Sequence, residues 1–264
     1  MIKQKNNVFW FKLNGLVRYS MSHLASNLFP LYIVNEYPKS GGSWVADMLS
    51  DALNVPFPRN RLPMLKSCVM HGHMMHSWNM RNVLIVWRDG RDILVSQYYH
   101  SLFYNDRGNA PLVDQCRADL QFSDYDNIRE NLPAFMEYVY ETKKHPRMSW
   151  IEFVGKWADC KNCVHVKYED LREKPVDELN RIAHSLSSMK IDLERVVNIV
   201  DNHSFEKLAG RKAGSENKKS FLRKGVVGDW KNHFTKDAKQ LFMSYAGDGL
   251  VKLGYENDNS WVNE

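Results

Sequence analysis

Long apolar runs are missing from this chain of 264 residues. No stretch of 18 or more apolar residues occurs, so no membrane-spanning helix is predicted. The Phe-, Trp-, Leu- and Met-rich segment from Val8 to Val34 is interrupted by Lys12, Arg18 and His23. It lacks the unbroken core and small-residue cleavage site of a secretory signal and reads as a helix packed on the domain, with docking at a membrane surface as the other reading. Cysteine is scarce: Cys68, Cys116, Cys160 and Cys163 give no disulfide framework, which favours a reducing, cytoplasmic setting. Cys160 and Cys163 form one C-x-x-C with no second pair to complete a zinc site. They precede an apolar run rather than opening a helix after a strand, so they are read as packing residues. Repeats, low-complexity tracts and flexible linkers are also absent, and the chain is predicted to be one domain over residues 1–264. Within it, residues 1–30 are expected to be an N-terminal packing segment and 210–229, rich in glycine and lysine, a mobile flap.

Apolar residues make up 44% and charged residues 25%, ordinary for a soluble globular protein. The net charge of +5 is spread along the chain and suits acidic small molecules or anionic surfaces without requiring nucleic acid. Apolar runs at Leu31–Val34, Val83–Trp87 and Val164–Val166 read as buried strands. Helical periodicity follows each: Trp44–Leu53, Asp92–Phe103, then Pro175–Ser188 and Leu193–Val200, with others over Ile128–Lys144, Ser149–Ala158 and after Thr235. Alternating strands and helices predict an α/β fold with a mostly parallel central sheet flanked by helices. Residues 105–127 show little periodicity and read as a loop or lid.

Tyr37-Pro38-Lys39-Ser40-Gly41-Gly42-Ser43-Trp44 joins the first strand to the first of these helices. Two glycines permit a tight turn with accessible N–H groups, and the helix start adds positive potential. Lys39 supplies a mobile charge, so the turn suits phosphate or sulfate. It is not the nucleoside-triphosphate loop, because Lys39 precedes both glycines. Arg88 closes the second strand and Ser96 lies eight residues on, about one turn inside a helix; a guanidinium fork and a hydroxyl suit a phosphate. Arg223-Lys224-Gly225 puts two charges beside an accessible N–H.

These stretches resemble the sulfotransferases that use 3′-phosphoadenosine-5′-phosphosulfate (PAPS). The first loop resembles the family's Y-P-K-S-G-T-T-W, with Gly42 and Ser43 in place of two threonines. Val86-Trp87-Arg88-Asp89-Gly90 through Ser96 resembles its second signature, and Arg223 to Thr235 resembles R-K-G-x-x-G-D-W-K-x-x-F-T. Tyr168-Glu169-Asp170-Leu171 and His203-Ser204-Phe205 resemble two shorter ones. The resemblance covers residues 31–236 in family order and implies a P-loop-like sulfotransferase fold. It implies that Lys39, Ser40, Gly41, Gly42 and Ser43 hold the 5′ end of PAPS. Arg88, Ser96, Arg223, Lys224 and Gly225 would hold the 3′-phosphate, and Trp44, Tyr168 and Phe205 the adenine. The family's K-T-H becomes His71-Gly72-His73, which puts His73 at the general base and His71 at the lysine position, with His76 a third candidate base.

The implied reaction is in-line transfer of a sulfuryl group to an acceptor hydroxyl on a small molecule, glycan or glycolipid. Lys39 and His73 would be catalytic, adenosine 3′,5′-bisphosphate (PAP) the product, and no metal is expected. A cluster of Cys68, His71, His73 and His76 is too crowded to favour a metal reading. The competing functions are a kinase or NTPase, for which Asp89 is the nearest metal-binding candidate, and a non-catalytic nucleotide-binding protein. The family's dimer motif survives only at Lys231 and Thr235, so no oligomeric state is assigned.

Overall fold

The computed structural model describes residues 8–25, 28, 30–59, 66–75 and 79–263. In chain order its elements are α1 (Val8–Ser20), which runs into a π-helical turn at Met21–Ala25, β1 (Leu31–Glu36), α2 (Gly42–Leu53), β2 (Cys68–Gly72) and β3 (Val83–Trp87). Then come α3 (Gly90–Leu102), α4 (Ala110–Asp119), α5 (Ile128–Glu137) with a π-helical turn at Tyr138–Thr142, and α6 (Trp150–Trp157). The order ends with β4 (Val164–Lys167), α7 (Tyr168–Glu173), α8 (Pro175–Ser187), α9 (Leu193–Asn202), α10 (Phe205–Ala209) and α11 (Lys236–Lys252). The fold is α/β, with a four-stranded sheet in the order β2-β1-β3-β4 in which neighbouring strands pair in parallel.

The chain groups into two compact units. The first holds the sheet, and takes in the chain up to Glu36 together with Gly41–Trp87 and Cys160–His203. β1 and β3 are buried along their whole length, as strands covered on both faces are, whereas β4 buries only Val166. Alternation along β1 and β2 sorts the faces: Tyr32, Val34 and Val69 pack with Val45, Met48 and Leu49 of α2, and with residues of α8 and α9. Leu31, Cys68 and Met70 point the other way and pack with Met21 and Val17. In this unit α2, α8 and α9 form where the apolar spacing predicts them. Pro175 sits in the first turn of α8, where its missing N–H costs nothing.

The second unit contains Tyr37–Ser40, Arg88–Asp159 and Ser204–Glu264. Its core is aromatic: Phe242 of α11 meets Trp150, Phe234 and Trp261 edge-on or tilted. Ser149 and Glu152 close a capping box on α6, and Thr235 caps α11 by accepting the Ala238 N–H.

Three expectations change. The predicted loop at 105–127 contains α4, which buries only Val113 and Cys116 and so shows too narrow an apolar stripe to read from sequence. The segment around Cys68–Gly72 is a strand at the sheet edge, its signal masked by histidine and glycine. Cys160 and Cys163, expected merely to pack, are joined in a disulfide. The turn between α6 and β4 folds back with Cys163 N–H donating to the Cys160 carbonyl at 3.2 Å, and this brings the two Cα atoms to 5.5 Å.

Candidate active site

The turn after β1 is tight because Lys39 and Gly41 both adopt positive φ, 78° and 96°. Gly41 must be glycine for a second reason: a Cβ there would meet the Tyr168 ring at 2.7 Å. Tyr168, at the start of α7, meets the Trp44 indole edge-on at 5.8 Å. The indole Nε1–H of Trp44 donates to the His203 carbonyl at 2.8 Å, so its ring is fixed in the first unit.

Two N–H groups of the turn are spent within the protein. Ser40 donates both its N–H (3.1 Å) and its hydroxyl (2.8 Å) to the Tyr37 carbonyl. Gly42 donates its N–H to the Glu36 carboxylate. Gly42 is small for the same reason, since a Cβ there would meet Glu36 Cδ at 2.6 Å. The cradle read from sequence as Ser40–Ser43 is thereby narrowed toward the N–H groups of Gly41 and Ser43.

Glu36 is the functional residue that the sequence reading missed. It ends β1, its side chain is 5% exposed, and it gathers two histidines. His71 Nε2 lies 2.9 Å from Glu36 Oε1. His73 Nδ1 lies 3.0 Å from the Glu36 carbonyl oxygen. A carbonyl can only accept, so Nδ1 carries the hydrogen and, in the neutral ring, the lone pair is on Nε2. Burial among packed neighbours pushes the His73 pKa below its ordinary 6.5; the Glu36 charge opposes this, and His71 adds to it. His73 as a residue is nonetheless exposed to solvent, so the packed neighbours that lower its pKa do not close it off. Burial on its own would raise the Glu36 carboxyl; the His71 hydrogen bond, both imidazole charges and the Gly42 N–H outweigh it and hold the group below the usual carboxylate range. The strand register supplied a signal for this corner: Val34 pairs with His71, so the chain two residues on brings Glu36 beside His73. His76 lies outside the described residues.

The second unit collects the other predicted groups. Arg88 Nη1 donates to the Lys39 carbonyl at 3.0 Å, and its guanidinium is 3.9 Å from Asp92. Lys39, Ser96, Tyr99, His100, Lys218 and Arg223 line one recess, joined by Asn105, Ser220 and Phe221. Lys39 Nζ stands 3.9 Å from the Phe221 ring centre. Burial, with the Lys39 charge adding to it, pushes His100 down to about 3, so its ring is neutral. Lys218 is a recess cation that the sequence reading passed over in a lysine-rich run.

Arg223 and Lys224 share a carboxylate. Asp229 takes Arg223 Nη2 and Lys224 Nζ, each at 2.5 Å, with Asn232 at 3.1 Å. Arg223 also pairs with Glu216 and lies over the Tyr99 ring at 4.4 Å. Burial would raise Asp229, but His233, Lys224 and Arg223 hold it far below the carboxylate range. Asp92 fastens this segment to α3 by accepting the Gly228 N–H (2.7 Å) and the Trp230 N–H (2.9 Å). Gly225, at φ 67°, lies against the Phe205 ring with no room for a Cβ. Asp89, which a kinase reading would assign to a metal, instead caps α3 through the Arg91 N–H and pairs with the Arg91 side chain at 2.7 Å.

The family model for the sulfotransferase domain matches residues 63–253. Mouse sulfotransferase 1B1 is 24% identical over 257 residues, 80% of this chain and 79% of that protein. Human sulfotransferase 1C2 is 29% identical over 175 residues, 60% of this chain and 51% of that protein. Among solved structures, mouse sulfotransferase SULT7A1 complexed with PAP superposes with a TM-score of 0.61 at 18% identity, covering 85% of this chain and 87% of that one. Retinol dehydratase in complex with androsterone and PAP gives 0.57 at 16% identity, covering 89% and 85%. These two likenesses speak for the fold, whereas the family match spans most of the sequence and takes in the second-strand arginine, the helix serine and the Arg223–Gly225 segment. The chain belongs to the sulfotransferase family.

Proposed function

We propose that the sulfuryl donor is PAPS, that the acceptor is a hydroxyl, and that His73 is the general base. The observation that carries the proposal is the His73–Glu36 bond. It fixes the tautomer that leaves a lone pair on Nε2, and the depressed pKa keeps that lone pair available at neutral pH. The residues present suit a bisphosphorylated nucleotide. One recess offers Lys39, Ser96 and Arg223 to phosphate oxygens, and the α2 start offers backbone N–H groups. PAPS supplies an activated sulfuryl group on a phosphate leaving group.

The chain's residues then divide the work. Lys39, with the Gly41 and Ser43 N–H groups, stabilises charge growing on the 5′-phosphate, the electrostatic contribution that usually dominates such transfers. Arg88, Ser96, Arg223, Lys224 and Gly225 hold the 3′-phosphate, while Trp44, Tyr168 and Phe205 offer apolar faces to the adenine. His73 removes the acceptor proton as the oxygen–sulfur bond forms. None of these roles calls for a metal. Among the described residues no helix is long and apolar enough to cross a membrane. Our assignment to the cytoplasm rests on the resemblance to cytosolic-type sulfotransferases, since the Cys160–Cys163 disulfide removes the argument from reduced cysteines.

Incubation with labelled PAPS and a panel of hydroxyl compounds and glycans, read by mass spectrometry, tests the reading. Sulfated product and PAP are expected, and transfer should survive a chelator. Lys39→Ala should lower turnover roughly a hundredfold or more, in line with the ~2.7–4 kcal/mol that a lost preorganised donor costs. His73→Ala should lose a similar factor. Full turnover in His73→Ala would remove His73 from the base role, and PAPS-independent activity would end the proposal. Arg223→Ala should mainly weaken nucleotide binding and blunt discrimination between PAPS and its 3′-dephospho analogue.

A further inference from the structure

Glu36, His71 and His73 together have a capability that sulfuryl transfer does not use. Each offers one ligand atom, and the three atoms lie within 4.8 Å of one another. Two imidazoles and a carboxylate are a zinc donor set, and a tetrahedral ion bonds such donors at about 2.0–2.2 Å. From these residues we infer that the corner is a zinc-binding site, and that zinc bound there silences His73 as a base.

The corner is built for the purpose by the sheet. β1 and β2 are neighbouring parallel strands with Val34 paired to His71, so Glu36 and His73 are their continuations two residues on. Residues two apart on a strand share a face, which sets His71 and His73 on the side that carries Glu36. A ligating histidine commonly gives its other ring N–H to a carbonyl, which fixes the ring and raises its basicity. The Glu36 carbonyl already does this for His73 at 3.0 Å. The Glu36 carboxylate is held from behind by the Gly42 N–H on Oε2, which leaves Oε1 facing His71. Zinc would replace the proton held between Oε1 and His71 Nε2, while the solvent-open side of His73 leaves room for a water or an acceptor hydroxyl as fourth ligand. Arg18, which donates to the His71 carbonyl, tempers the affinity by its charge and does not occupy a ligand position.

The inhibitory half of this inference rests on the base assignment above, and the binding half does not. The full chain, stripped of metal by chelator and dialysed, is titrated with Zn²⁺ by calorimetry and with Co²⁺ by visible absorption. One equivalent is expected to bind, with the intense ligand-field bands of a four- or five-coordinate Co²⁺ ion rather than the weak bands of the hydrated one. Glu36→Gln keeps the shape and the Gly42 acceptor, so it tests the ligand and not the fold. It and His71→Ala should each weaken binding at least tenfold, while Cys160→Ser with Cys163→Ser should leave binding unchanged. Absence of stoichiometric binding, or binding undiminished in both Glu36→Gln and His71→Ala, overturns the site. Stoichiometric binding with undiminished sulfuryl transfer keeps the site and removes His73 from the base role.

Discussion

Asp229 and Glu36 are both carboxylates removed from water, and they are kept ionised by different partners. Asp229 is held by His233, Lys224 and Arg223, with Asn232 beside them, so two of its partners are a lysine and an arginine. Glu36 is held by two imidazoles and one backbone N–H. The first corner ties two cationic side chains to one carboxylate and so braces the Arg223–Gly225 segment. The second gathers imidazoles, the kind of side chain used for proton transfer, around its carboxylate, and among the described residues no lysine or arginine bonds that carboxylate's oxygens. The nature of the counter-charge thus separates a structural corner from a chemical one.

The strongest test of the scaffold half is Asp229→Ala. It leaves two cations without their shared partner, and removing one side of a buried ion pair typically costs about 3–5 kcal/mol. Urea unfolding should show a loss of that size, with nucleotide binding lost as well. The acid dependence has a definite sign. The folded pKa of Asp229 lies below its unfolded value, so its contribution is present above the ordinary carboxylate range and fades only as pH falls through the folded pKa. A stability change of under 1 kcal/mol in Asp229→Ala would collapse the contrast with Glu36.

A second test concerns the space that Glu36 occupies. Restoring the family residue with Gly42→Thr drives a side chain into a carboxylate 2.6 Å from the new Cβ. Overpacking of this kind costs about 1–3 kcal/mol, and loss of the Gly42–Glu36 hydrogen bond is expected with it. Pairing it with Glu36→Ser should restore part of the stability, a coupling of about 0.5–3 kcal/mol in a double-mutant cycle. Additive losses would mean that the two positions are not one unit and that Glu36 does not explain the glycine.

The scaffold corner was legible in the sequence because adjacent charges, a glycine and an Asp–Trp pair lie within eight residues, Arg223 to Trp230. Ser96 and Arg88 were legible for a like reason, since a strand end and one helical turn fix their spacing. The chemical corner was legible only in part. His71 and His73 stood out, but their partner lies 35 residues away in a different strand, and only the parallel register reveals it. The α4 helix escaped because two buried residues do not make a period, and the Cys160–Cys163 bond because a turn's closure is not written in its spacing.

The finest test reads the Glu36 corner through the acid limb of turnover. In the base role proposed for it, His73 accepts a proton only when neutral, so activity should rise with pH through its depressed pKa, below 6.5, and then level off. Glu36 favours the charged imidazole, which means that it raises this pKa against the larger effect of burial. Glu36→Gln removes the negative charge but keeps a hydrogen-bond acceptor for Gly42. Protonating His73 then becomes harder, and the limb should move to still lower pH. At pH 8 the ring is neutral in both proteins, so any remaining difference in turnover there measures positioning rather than protonation. A limb that moves upward in Glu36→Gln would mean that another titrating group sets the profile, and the line drawn between the two carboxylates would have to be redrawn around that group.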